Sequence, residues 1–287
     1  GLDAAAVAAA LGIAGSQASG SMEFLTDGAW TKRFHPGWAA CAGLHAAALA
    51  RAGFRAPTTI VEGRFGFLHG YSDAANAAAL DGTGAYELLQ TGVKPHACCR
   101  YAQGPIDAVL ALRAAHAIDP SHVTRIEVGI VEPGFPIVCE PLEAKRRPRS
   151  VVDGQFSLPF SVAVALVHGT VAPEVFVGRN FDDPLVRRVM DRVEPVRDTA
   201  LDALFPRAWP CWVRVTLDDG TRHEKRVTHP LGDPENFPSP AAQRAKFAAL
   251  AGRALPVDRI ETVLAAVAGI LSAGDVRTLL TLTQADI

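Results

Sequence analysis

From Pro210 to Leu217 the chain reads Pro-Cys-Trp-Val-Arg-Val-Thr-Leu, followed by Asp218-Asp-Gly220 and a second alternating run from Thr221 to Val227. Two alternating runs joined by an Asp-Gly turn specify an antiparallel hairpin. Period-two alternation gives each strand one core face, and glycine supplies the positive φ of the turn. The run from Val123 to Val131 alternates in the same way and adds a strand. Sheet-forming sequence therefore occupies the middle of the chain, while the pattern on both sides is helical. The fold class expected is mainly α with an α+β part.

Start and stop signals place the helices. Asp3 caps a helix over about residues 4 to 14, with Gly15 as its stop. Pro36 suits a first helical turn, and Trp38, Cys41, Ala42, Ala46 and Leu49 form a face running to about Arg51. Pro105 opens a helix to about His116, and Ser157 caps one through Val167 that ends at Gly169. Asp182 to Val193 reads as helical. Ser239 and Pro240 start a helix to about Leu255, followed by segments over 257–271 and 274–283. Pro57 to Glu62 reads as a brief extended piece and Phe65 to Leu88 as largely irregular. Lys145-Arg146-Arg147 reads as a solvated basic loop.

Composition excludes several classes. The 287 residues are 49% hydrophobic and 20% charged, which describes a core-forming globular protein. A net charge of −2 gives no reason to expect nucleic acid or an anionic membrane as partner. The five cysteines are odd in number, show no Cys-x-x-Cys, and suggest neither a disulfide framework nor a metal site. Reduced thiols and a cytoplasmic location are expected. No apolar run is long enough for a membrane span, and there is no basic n-region of a signal peptide. The chain opens without Met directly into an Ala-rich helical pattern. The expectation is that an upstream segment is missing or is supplied by another polypeptide.

Charge is concentrated in two places. Lys32, Arg33 and His35 stand directly before Pro36, where free backbone N–H groups already favour an anion. The small, polar run from Gly15 to Met22 leads into them, and Gln17 can line the same pocket. Lys94, His96, Cys98, Cys99, Arg100, Tyr101 and Gln103 crowd a second non-periodic segment before Pro105. Cation and polar groups followed by a Pro-started helix thus occur twice, as a shared carboxylate or phosphate pocket requires. A thiol nucleophile would need an orienting partner that the sequence does not display.

Four stretches resemble the MmgE/PrpD family: Thr31-Lys-Arg-Phe-His-Pro-Gly-Trp-Ala-Ala, Lys94-Pro-His-Ala-Cys-Cys-Arg-Tyr, Gln155-Phe-Ser-Leu-Pro-Phe-Ser-Val-Ala and Gly232-Asp-Pro-Glu-Asn. The resemblance implies a large all-helical domain (residues 1–118) interrupted by a smaller α+β domain (119–235). Helices of residues 236–287 return to the first domain. It also implies a cofactor-free and metal-free homodimer acting on a small polycarboxylate between the domains. Lys32 and His35 stand where the family has Lys-x-x-His, and Lys94 stands at its second lysine. These three are the expected catalytic residues, with Gln17, Arg33, Cys99, Arg100, Tyr101 and Gln103 as substrate contacts.

Departures from the family pattern are equally specific. Decarboxylase-like members have a His near Cys99 and a Tyr near Phe160, and many relatives have His at Gln103. The family also has an upstream helical segment whose Asp and His residues reach the site. The expected reaction is cofactor-independent elimination of the 2-methylcitrate dehydratase type. Cations stabilise an enolate-like state, while His35 or an upstream group moves the proton. The alternatives are epimerisation or decarboxylation of a related acid, or a non-catalytic subunit that needs a partner chain.

Overall fold

The structure is a computed structural model, in which the described residues are 1–80, 82, 84, 86–177 and 180–284. Positions 81, 83 and 85 of the expected irregular stretch, and 285–287 of the expected third unit, lie outside the described residues. A mixed sheet occupies the centre, with strands β1 (Val123–Ile130), β2 (Val193–Arg197), β3 (Cys211–Leu217) and β4 (Arg222–Val227). Their order is β2-β1-β3-β4, with β1 parallel to β2 and the other pairs antiparallel. The expected hairpin is β3–β4, with Gly220 at φ +83° in its turn. The alternation of β1 places Ile126, Val128 and Ile130 in the core, against Val213 and Val215 of β3.

The helices are α1 (Ala4–Ser16), α2 (Thr31–Arg51), α3 (Gln103–His116), α4 (Leu158–His168), α5 (Pro184–Met190), α6 (Pro240–Ala251), α7 (Val257–Ala268) and α8 (Arg277–Leu282), with shorter turns between them. Helix α4 is apolar all round, which only a buried position accommodates. Every residue from Leu158 to Leu166 is buried. Its start is fixed by the Ser157 hydroxyl, which accepts from the Phe160 N–H at 3.0 Å, and its end by Gly169 at φ +71°. Helix α3 lies across β3 and β4 with Ile106, Val109 and Leu112 inward. It comes so close that a Cβ on Gly104 would sit 2.8 Å from the Cys211 Sγ. Helices α1 and α2 share a separate small cluster of Ile13, Ala46 and Ala50. Leu255, Ile260 and Val263 anchor α6–α8. Among the described residues no helix is long and apolar enough to cross a membrane.

Several expectations are corrected. Helix α2 begins at Thr31, so Pro36 lies inside it and Lys32, Arg33 and His35 are helical. Proline there removes the bond that would reach the Lys32 carbonyl and crowds that carbonyl, yet the helix continues through it. Helix α1 runs one residue past Gly15, to Ser16, and that glycine admits Ile60, whose Cγ1 would lie 2.4 Å from a Cβ there. Pro57 to Glu62 turns rather than extends. The helix expected over Asp182 to Val193 ends at Met190, and β2 starts at Val193. The basic run is not solvated throughout. Lys145 donates to the Ile137 carbonyl at 2.8 Å, Arg146 to that of Val193 at 2.7 Å, and Arg147 pairs with Asp191 at 2.6 Å.

Candidate active site

The segment from Lys94 to Cys99 has no regular structure, so each backbone polar group needs a partner from elsewhere. Two glutamines supply most of them. Gln103, completely buried at the start of α3, accepts from the His96 N–H at 3.1 Å. Its amide donates toward the carbonyls of His96, Cys98 and Cys99. From the other side, the Gln155 amide donates to the Ala97 carbonyl at 3.0 Å, and the Gln155 carbonyl accepts from the Cys99 N–H at 2.8 Å. The Gln155 side-chain oxygen accepts from Arg33 at 3.1 Å, which ties the segment to α2. At its front, the Val93 N–H donates to the Gly232 carbonyl at 2.8 Å, bringing in the Gly232-Asp-Pro-Glu-Asn loop.

These connections enclose a cleft of about 660 Å³ between the start of α2, the Lys94–Cys99 segment, the Val151–Gln155 turn and α6. Lys32, Arg33, Lys94 and Lys246 line it, and among the described residues no carboxylate does. The floor is apolar, built from Val152, Phe156, Pro173 and Leu250. The Lys32 ammonium lies 4.5 Å above the centre of the Phe156 ring, and Lys246 donates to the Lys94 carbonyl at 2.6 Å. Among the described residues none of these four cations forms an ion pair with an acid. Such a surface favours a small polyanion with an apolar body.

The surroundings depress the Lys32 pKa, first through burial and then through the nearby Lys94 charge. As pH rises, the Lys32 ammonium therefore loses its proton before the ordinary lysine value of 10.5 is reached. Affinity for a carboxylate is expected to fall on the alkaline side below that ordinary range, with binding there accompanied by proton uptake. Calorimetry with citrate at stepped alkaline pH reads both quantities. An affinity that stays flat into the ordinary lysine range would exclude Lys32 as the anion contact.

The structure brings together Lys32, Arg33, Lys94 and Cys99 of the residues singled out by sequence. His35 does not line the cleft. Its ring packs edge-on to Phe24 at 6.3 Å and beside Gly20. Gln17 faces a different groove, between α1 and α2, and its amide donates to the Ile13 carbonyl. Gln103 lies behind the cleft as a brace. Arg100 pairs with Asp233, stacks 4.9 Å from Trp209, and lines a second, smaller cleft of about 390 Å³ that shares only Lys94 with the first. Tyr101 packs on Trp209 at 4.8 Å, outside both clefts, with burial raising its pKa. Burial likewise raises the Cys99 thiol, and it pushes Cys98 up to about 12, so both are protonated and poorly nucleophilic near neutral pH.

Sequence reasoning did not assign Gln155, Phe156 or Lys246 to the site, and it placed His96 in the crowded segment without a role. Gln155 and Phe156 lie in a stretch that carries the family resemblance, which was an available signal. Lys246 is 152 positions from its partner Lys94, and nothing in its own helix marks it. For metals, His229, Asp233 and Glu235 hold ligand-type atoms within 4.8 Å of one another. Arg100 already engages Asp233 there, so a guanidinium supplies the positive charge.

Residues 1–79 match the MmgE/PrpD N-terminal domain and residues 96–269 the MmgE/PrpD C-terminal domain, so the chain belongs to the MmgE/PrpD family. Among curated relatives, the cis-aconitate decarboxylase-like protein oryM of Aspergillus oryzae is 27% identical over 97% of this chain and 60% of its own length. Cis-aconitate decarboxylase of Aspergillus terreus is 27% identical over 95% of this chain and 58% of its own. The chain thus spans no more than 60% of the length of these relatives.

Proposed function

We propose that the chain carries the carboxylate-binding part of a cofactor-independent lyase of the 2-methylcitrate dehydratase type. The observation that carries this reading is the cleft with four cationic side chains and, among the described residues, no acidic lining residue. Loss of a proton α to a carboxylate builds negative charge on that carboxylate as an enolate-like state forms. Ammonium groups already in place stabilise that charge without reorganising. Lys32 and Lys94 hold the reacting carboxylate, and Arg33, braced by Gln155, and Lys246 hold a second one. The apolar floor accommodates the carbon skeleton.

Decarboxylation is a second reading, favoured by the names of the relatives, which are cis-aconitate decarboxylases. Cys99 offers that variant of the chemistry only a buried thiol, and the fully buried Phe160 offers no polar group. Incubating the full chain with 2-methylcitrate, citrate and cis-aconitate, and following products by proton NMR, separates the two readings. Water loss or addition supports the dehydratase. Carbon dioxide release from cis-aconitate supports the decarboxylase, and absence of any conversion rejects both for this chain.

A further inference from the structure

An elimination site needs a group that moves a proton, and the four cations of the cleft do not readily serve as bases. Among the described residues His96 is the one histidine that lines the cleft. Its Nε2 lies 3.0 Å from the Asp107 Oδ1, and both side chains are largely buried, at 12% and 16% exposure. The other Asp107 oxygen accepts from the Leu231 N–H at 2.7 Å, so the carboxylate cannot swing away. The His96 backbone is separately fixed by Gln103. No protein group among those described bonds the His96 Nδ1, and that atom is not among the sealed, unpartnered ones.

This is the arrangement in which a carboxylate fixes one imidazole nitrogen as N–H and leaves the other with its lone pair. Resting on the reading of the cleft as a polycarboxylate site, we propose that His96 is its proton-transfer residue and Asp107 the positioning residue behind it. The neutral imidazole, with its proton on Nε2 toward Asp107, takes the proton from the substrate carbon α to a carboxylate onto Nδ1. The C–H electron pair passes into the carboxylate as an enolate and then forms the carbon–carbon double bond. The hydroxyl leaves with the C–O electron pair and recovers the proton from Nδ1, so the products are the alkene and water and the imidazole is neutral again. His35 does not compete for this role, since its ring faces Phe24 and Gly20 and not the cleft.

The test uses the full chain with citrate as probe, combining calorimetry, deuterium incorporation from heavy water, and NMR of isotope-labelled histidine. In the wild type, citrate is expected to bind, to exchange deuterium, and to shift the His96 ring signals. His96→Gln should keep citrate affinity within about threefold and lower the exchange rate at least about a hundredfold, the usual scale of general acid–base catalysis. Asp107→Asn should retain binding and move the His96 proton from Nε2 to Nδ1, a spectroscopic change that a merely structural contact would not produce. Citrate binding with unmoved His96 signals, or with exchange unimpaired in His96→Gln, overturns this assignment alone. Absence of citrate binding in the wild type overturns the reading of the cleft and this assignment with it.

Discussion

Lys32→Met is expected to weaken citrate binding by roughly tenfold to a hundredfold, while leaving the melting temperature nearly unchanged. The size follows from a charged hydrogen bond, about 1.5–3 kcal/mol, in a half-enclosed site. Methionine keeps an apolar stem over Phe156, so the packing of the ammonium's former position is largely preserved. No acid pairs with Lys32 among the described residues, so its loss strands no buried carboxylate. Removing it in fact relieves the repulsion from Lys94 and Arg33 that contributes to its lowered pKa. The effect should therefore fall on the ligand and not on the fold. Calorimetry on the two proteins side by side reads the difference, and equal affinities would show that the anion does not sit at Lys32.

Gly232→Ala is expected to cost about 3 kcal/mol of stability, combining positive-φ strain with a backbone collision. Gly232 holds φ at +99°, and a Cβ there would lie 1.7 Å from the Val93 carbonyl oxygen. Neither chain can retreat without losing the bond from the Val93 N–H to the Gly232 carbonyl. Gly53→Ala is the control, because Gly53 is also at positive φ, +82°, but has open space where its Cβ would go. That variant should lose only the strain, about 1 kcal/mol. Thermal unfolding of both separates the collision from the strain, with an expected difference of roughly 3 °C for a chain of this size. Because the same contact holds Lys94 in the cleft, Gly232→Ala should also weaken citrate binding. Equal melting temperatures for the two variants would mean that the Gly232 loop is not seated against Val93.

The elements legible in the sequence were those whose signal is local. The β3–β4 hairpin, β1 and the Ser157-capped α4 each carry their period, cap or turn residue within a dozen positions, and each forms as read. Strand β2 was missed because Val-Glu-Pro-Val-Arg is short and contains proline, which an edge strand tolerates and a pattern search penalises. The start of α2 was misplaced because Pro36 reads as a first-turn residue when it stands in the second turn.

The site divides along the same line. Lys32, Arg33, Lys94 and Cys99 were recognisable as polar crowding near helix starts, and they do meet. Arg100, Tyr101 and Gln103 belong to the same crowded segment. However, the chain turns into α3 there, and their side chains leave toward Asp233, Trp209 and the protein interior. Lys246 and the pairing of His96 with Asp107 depend on tertiary approach, which no spacing within one segment encodes.

The most direct measurement is a crystal structure of the full chain with saturating citrate. The account predicts density for the ligand above Phe156, with its carboxylates against Lys32, Lys94 and Lys246. Density at the Arg100–Trp209 cleft with the larger cleft empty, or no bound citrate at all, would contradict it.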